Sequence, residues 1–503
     1  MNKTHSPLLF IVIAVTLAVS LPAMGRGTAS PYLKTLMAHN GAGAQAPVPG
    51  AATQAGRTVS PLYTSIVIET ESPDTPLPDF VTELARRGEL AVVSVPQSRL
   101  NDLLGAPGVL RMESGVCNTP TMTQARSMCG LEKAYQIPGH FRGRNVVVGF
   151  TDIGFDPGHI NFTDPATGHS RVKRLVNYTI TSPLPGRLTS ENEISAWTTD
   201  TDQEWHATHV AGILAGSYAK NNYYGVAPEA EIVATTSLLA DGYLLAGCEE
   251  IIAYAKEQQK PAVINMSIAS STGSHDGTSL FNRYMERLAD DAVVCISSGN
   301  SGDKWSAHIP FTATAEKPRI QTAFREYPHS SPFAVSGIAD LWSLDDAAFT
   351  VTLLVYDSQT RQIAARIPTV DPSAGIDFKV LATTALAPNY NTEPDPTLSA
   401  MFASAAVLVS CELNPANNRF NTVVSFIWRN KTEANLTHGR YWLGIEVGAN
   451  PGNGVELYAS NDIEFMRLGG EFQPEFSVAK SINDLACGHG IVSVGAVSER
   501  NMW

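Results

Sequence analysis

The 503-residue sequence is 44% hydrophobic and 17% charged, the proportions of an ordinary globular chain too long for one simple core. Thirty-five Lys and Arg against 48 Asp and Glu give a net charge of −13, which excludes the basic stripe that a nucleic-acid partner requires. Six cysteines over this length exclude the dense disulfide framework of small secreted domains, and no pairing of them resembles a zinc site.

Residues 1–25 read as a bacterial-type signal peptide. Lys3 and His5 precede an apolar run from Leu8 to Leu21, and Ala23-Met24-Gly25 offers a small-x-small cleavage site. The run is short for a spanning helix, so secretion is expected rather than stable membrane association. Residues 26–60, rich in Ala, Gly, Pro and Thr, read as a flexible linker. Residues 61–115 then alternate: a strand at Ser65–Glu69, a helix at Asp79–Arg87, a strand at Leu90–Val95, a short helix at Leu100–Leu104 and a closing strand at Gly108–Glu113. That alternation predicts a small α+β unit of the ferredoxin-like type. Cys117 and Cys129 follow, close enough to bridge, though spacing alone does not pair them.

From Arg144 the pattern becomes strand–loop–helix, over residues 116–303. Short apolar runs at 145–150, 230–234, 262–266 and 293–297 suit strands buried on both faces, with Cys295 as a small buried hydrophobe in the last. Helical stretches at His209–Ala215 and Cys248–Glu257 lie between them, so a parallel sheet with helices on both faces is expected. Residues 304–480 are β-rich, with turn signals such as Asn450-Pro451-Gly452-Asn453-Gly454, and predict an inserted antiparallel β-sandwich or jelly roll. Residues 481–503 return to the first pattern with the apolar strand Gly490–Val497.

Three polar residues end the buried runs or open the helix between them. Asp152 follows the first run, His206 opens a helix in "WHATHVAGILAG", and Asn300 ends "VVCISSGNSG". A carboxylate, an imidazole and an amide at one sheet edge suit acyl transfer: the first fixes the imidazole tautomer, the last donates to an oxyanion. Taken singly each has a plainer reading: Asp152 as a turn residue, His206 and His209 as a metal pair three apart on a helix, Gly299-Asn300-Ser301-Gly302 as a turn.

Taken together, these motifs resemble the subtilisin-like serine proteases, the subtilases. The resemblance lies in "FTDIGFDPGHINF", "HATHVAGILAG", "GVAPEAEIV", "AVINMSIAS", "SSGNSG" and "IVSVGAV". It implies that Asp152 orients His206, that His206 is the general base, and that Asn300 is an oxyanion-hole donor. It further implies a substrate site for protein or peptide at Ser267, Ile268, Ala269, Ser298 and Gly299. No cofactor is implied, and structural calcium is left open. Residues 61–115 look like the subtilase propeptide, and the β-rich insertion is similar to the jelly roll of clostridial spore-germination subtilases. Ala207 stands where the family has Gly at a tight helix start and Ile153 where it has Thr or Ser; Ala269 replaces the Gly that lines the first specificity pocket, so a slightly narrower pocket is expected. The expected architecture is therefore an α/β, subtilisin-like parallel sheet interrupted by a β-sandwich and preceded by a small α+β unit.

Gly277-Thr278-Ser279 imitates the family's nucleophile motif but comes too early, before Asn300. The stripe Phe281, Tyr284, Met285 and Leu288 makes the following helix an amphipathic surface helix, so Ser279, or Thr278 beside it, is expected to be its N-cap, with Asp276 near the helix dipole. After Val497 only Ser498–Trp503 remain, and no Gly-Thr-Ser-Met-Ala element follows. The expectation is a serine endopeptidase whose 503 residues stop short of the nucleophile, as a partial sequence or a truncated product. The alternative is a catalytically inactive peptide-binding protein of the same build.

Overall fold

The computed structural model describes residues 28–30, 33–34, 37, 62–113, 130–139, 141–197, 205–217, 224–302, 304–326, 335–370, 378–382, 405–428, 441–460 and 463–496. The expected signal segment, Cys117, Cys129 and residues 497–503 lie outside them.

The N-terminal body is a five-stranded sheet. Its strands are β1 (Thr28–Ala29), β2 (Tyr63–Thr70), β3 (Thr82–Arg87), β4 (Leu90–Pro96) and β5 (Val109–Glu113), in the order β1-β5-β2-β4-β3. Ile66, Ile68, Val93 and Val95 alternate onto one face and pack with Leu100 and Leu103 of helix α1 (Leu100–Leu104). Two expectations fail here. The helix expected at Asp79–Arg87 is the edge strand β3, paired with β4 through a register shift at Glu83/Ala85. Its Glu, Leu, Ala and Arg residues favour a helix locally, but an open sheet edge and contact of Leu84 and Ala85 with the central core decide otherwise. The expected linker 26–60 also contributes structure: β1 pairs in parallel with Arg111 and Met112, and Leu33 and Met37 are buried in the small core.

After α2 (Leu131–Gln136), the central sheet begins with β6 (Val147–Asp152), β7 (Val172–Asn177) and β8 (Gly186–Leu188). Helices α3 (Glu191–Ser195) and α4 (His206–Ala215) precede β9 (Glu231–Thr236). The long helix α5 (Asp241–Glu257), β10 (Ala262–Met266), α6 (Leu280–Leu288) and β11 (Ala292–Ser297) complete this run. Alternate residues of β6 serve two cores: Val148 and Phe150 meet Ala207 and Ala211 of α4, and Val147 joins Leu244 and Ile251 of α5. Gly149 is required where α5 crosses, since a Cβ there would lie 2.4 Å from Ile251. Cys295, expected to be buried, is half-buried.

The inserted body has eleven strands among the described residues. They are β12 (His308–Thr312), β13 (Arg319–Glu326), β14 (Val335–Ser343), β15 (Thr350–Asp357), β16 (Gln362–Val370), β17 (Phe378–Ala382), β18 (Ala405–Asn414), β19 (Arg419–Trp428), β20 (Tyr441–Gly448), β21 (Gly454–Ala459) and β22 (Ile463–Arg467). They form two antiparallel sheets, β12-β21-β14-β19-β18-β17 and β16-β15-β20-β13-β22. Ile309, Phe324, Leu341, Val351, Phe426 and Leu457 fill the space between the sheets. The chain then returns, and β23 (Val492–Val494) adds to the central sheet beside β11, giving the order β23-β11-β10-β6-β9-β7-β8. All pairs there are parallel except β7–β8, so the fold is α/β with mixed sheets and helices on both faces.

The N-terminal sheet rides on α5 and α6. Val67 and Val92 share a core with Leu244, Tyr284 and Leu288. The charged face of α6, expected to meet solvent, meets that sheet instead: Arg283 pairs with Glu69 at 2.8 Å and Arg287 with Glu89. Among the described residues no helix is long and apolar enough to cross a membrane.

Candidate active site

Because β6, β10 and β11 are parallel neighbours, their C-terminal ends share one edge of the sheet. Asp152 is the last residue of β6 and is 0% exposed. His206 is the first residue of α4 and is 8% exposed. His206 Nδ1 lies 2.6 Å from Asp152 Oδ1, which also accepts the backbone N–H of Ile153 at 2.7 Å. A carboxylate only accepts, so Nδ1 carries the hydrogen and Nε2 is left as an acceptor. Nε2 is buried and has no hydrogen-bond partner among the described residues.

Local backbone geometry holds this pair. The Ala207 N–H donates to Ile153 O at 2.8 Å, and the Thr208 hydroxyl accepts from Asp156 N at 2.8 Å. These bonds tie the first turn of α4 to the loop after β6. Trp205, just before His206, adopts a left-handed φ of 54°, a conformation a bulky residue enters only when its surroundings impose it. His209 is exposed, and no group of three or more metal-ligating side chains occurs among the described residues.

Ser267, Ile268 and Ala269 follow β10 directly, and Ile268 O accepts the Ser297 hydroxyl at 2.7 Å. Ser298, Gly299 and Asn300 form the loop after β11, with Gly299 at φ 90°. A Cβ on Gly299 would meet that of Ala269 at 3.3 Å, so the two segments flank a narrow gap. Asn300, Gly299 and Ala269 all line a recess at this edge.

Asn483 was not singled out from the sequence, yet it binds both segments. Its side chain donates to Ser297 O and accepts from Ser270 N at 3.4 Å, while its backbone N–H donates to Ser298 O at 2.9 Å. The local clue is its role as N-cap of the short turn Asp484–Ala486, where its side chain accepts from Leu485 N. Ser279 caps α6, accepting from Asn282 N at 3.2 Å. Asp276 supports the turn before it: it accepts from Thr278 N at 3.1 Å and pairs with Arg419 of the inserted body at 2.8 Å. Burial raises the Asp276 carboxyl, but bonds from Ser274, Thr278, Asn417 and Arg419 outweigh it and hold it down to about 2. Burial pushes the neighbouring Asp484 up to about 8.

The profile of the subtilase family matches residues 143–399. The chain is similar to the PII-type proteinase of Lacticaseibacillus paracasei, 26% identical over 209 residues that cover 37% of this chain and 11% of that protein. It is 30% identical over 138 residues to Subtilisin-like protease 3 of Pseudogymnoascus destructans, covering 26% and 32% of the two chains. It is 29% identical over 177 residues to an intracellular serine protease of Paenibacillus polymyxa, covering 32% and 44%. The matches therefore span less than half of each of these relatives. The structure of the Clostridium perfringens CspB protease superposes with a TM-score of 0.52 at 20% identity, over 73% of this chain and 71% of that one, which shows a shared fold.

Proposed function

The chain belongs to the subtilase family, and on that premise we propose that it is a secreted serine endopeptidase working through an Asp–His–Ser relay. The observation that carries this reading is the 2.6 Å contact between His206 Nδ1 and Asp152 Oδ1, with Nε2 left as an acceptor. Asp152 fixes the tautomer and stabilises the imidazolium that forms when Nε2 takes a proton from the attacking serine. Asn300 donates to the developing oxyanion, and Ser267–Ala269 pairs with the substrate backbone as an added strand, with Ser298 and Gly299 opposite. No serine hydroxyl bonds to Nε2 among the described residues, so we assign the nucleophile to a serine outside them. Residues 61–115 act as a propeptide, residues 304–480 as a jelly-roll-like insertion, and residues 1–25 direct export.

The test is fluorophosphonate labelling of protein made from the undisturbed gene, with the modified serine mapped by mass spectrometry. One labelled serine outside the described residues is expected. His206→Ala should lower kcat for peptide hydrolysis on the order of 10⁶-fold, the loss known for the subtilisin triad. Peptide binding without labelling or hydrolysis would favour the second reading, an inactive peptide-binding protein, which the unpartnered His206 Nε2 also suits.

A further inference from the structure

The segment Ser267–Ala269 runs directly into a loop, Ser270–Gly277, that is held from two sides. On the central side the Ser270 hydroxyl donates to Thr272 O at 2.9 Å and closes a tight turn, while Ser270 O accepts the Asp484 N–H at 3.1 Å. The His275 N–H donates to Asp484 Oδ1 at 2.8 Å. The loop passes so close that a Cβ on Gly273 would fall 2.2 Å from Asp484 Cγ.

The other side belongs to the inserted body. Asp340 of β14 is 4% exposed; its Oδ2 accepts the Gly273 N–H at 2.7 Å and its Oδ1 accepts Asn421 Nδ2 at 2.6 Å. Arg419 donates to Ser274 O at 3.0 Å and pairs with Asp276 at 2.8 Å. His275 stacks on Tyr458 with centroids 4.0 Å apart, and Tyr458 on His308, which Glu456 holds, at 4.9 Å. Burial pushes the Asp340 carboxyl up to about 6, opposed by the Asn421 and Gly273 bonds and by Arg419. At neutral pH it is therefore an anion that only accepts, and an N–H bond to an ionised acceptor is the stronger kind. A cavity of about 100 Å³ lies on one flank of Gly273, so packing alone does not fix the loop there.

We propose that Asp340 and Arg419 are positioning residues for the substrate groove: by holding Gly273 and Ser274 they keep Ser267–Ala269 at the spacing from Ser298–Asn300 that admits a substrate backbone as an added strand. This rests on the reading of those two segments as the groove. Strand pairing tolerates little displacement, because an N–H···O bond weakens steeply outside its narrow range of distance and angle. The inserted body thereby governs substrate affinity without touching substrate.

The experiment reads binding of fluorescein-labelled casein, an unstructured protein, to the full chain by fluorescence anisotropy. Every protein, including the parent, carries His206→Ala so that bound casein is not cut. Asp340→Ala should weaken binding about tenfold, and Arg419→Met about fivefold. Asp340→Asn keeps an oxygen that accepts the Gly273 N–H and should bind within about twofold of the parent. Arg171, whose guanidinium bonds to Ala230 O, Asn161 O and Ala215 O instead, supplies the control: Arg171→Met lowers stability and should bind casein as the parent does. If Asp340→Ala does not fold, Arg419→Met decides. Parent-like binding by Asp340→Ala and Arg419→Met would overturn the proposal. So would an equal loss in Arg171→Met, or no recovery in Asp340→Asn, since either reduces the contacts to general stability. No binding by the parent would overturn the groove reading itself.

Discussion

Arg171 is 6% exposed and makes no direct ion pair among the described residues; its guanidinium donates to Ala230 O at 2.9 Å, to Asn161 O at 3.1 Å and to Ala215 O. Burial pushes it down to about 10, with Asp164 opposing from a distance. One side chain thus satisfies carbonyls from the loop after β6, the end of α4 and the start of β9. Asn161 O keeps its bonds from Ser217, but Arg171→Met should remove the donor to Ala230 O and Ala215 O and lower stability by about 2 kcal/mol, read from urea midpoints. Arg171→Lys should not rescue it, because an ammonium lacks the planar fork. Asp152 and His206 were legible in the sequence because each is a polar residue abutting an apolar run with a strand or helix signal. Arg171, Asn483 and His308 were not: they have partners 44, 186 and 148 residues away, and the one local signal, Asn483 as a cap of the turn after it, says nothing of those partners.

At the scale of elements, α5 is clamped between two sheets. Gly242 is where it meets the N-terminal one: a Cβ there would fall 2.0 Å from Ser65 Oγ and 2.8 Å from the backbone of Ile66. Gly242→Ala should loosen that sheet without unfolding the central one, seen as faster proteolysis confined to residues 62–113. Glycines also explain why α5 was expected only from Cys248: Gly242 and Gly247 interrupt its first half with residues that disfavour a free helix, and close packing outweighs that preference. The misread strand β3 is the converse, a helix-favouring stretch claimed by a sheet edge. The turn after Asn483 carries a pH dependence. Burial raises Asp484 from the ordinary 3.8 to about 8, helped by Asp276, Asp241 and Asp340 and opposed by the His275 N–H. The folded state therefore keeps a proton that the unfolded chain loses. That stabilisation is complete below the ordinary value of 3.8 and disappears as pH rises through about 8. Asp484→Asn should flatten the fall of the melting temperature across this range.

At the scale of the molecule, three bodies converge on Arg111. It is 2% exposed and pairs with Glu113 at 2.6 Å and with Glu412 of the inserted body at 2.9 Å, while Glu113 accepts the N–H of Leu280 at 2.7 Å. Arg111→Met would leave Glu113 and Glu412 with only Lys34, 4.0 Å from Glu412, as a neighbouring cation. We expect a loss of about 3–5 kcal/mol and calorimetric unfolding split into separate transitions. The order of bodies along the chain was readable from hydrophobic period, because a period of two and strand–helix alternation look different. Their mutual docking was not, since it rests on apolar side chains shared between bodies and on charges such as Arg111 and Glu412 that resemble surface residues until they are seen buried.

Arg111 also sets a timetable. Glu412 lies 301 residues after it, so the first body to leave the ribosome cannot complete its own seam until the insertion has been made. At about 5–20 residues per second that delay is roughly 15–60 s. Through that interval a nascent sheet waits with its guanidinium paired to Glu113 alone and its outer seam open, a natural client for a chaperone.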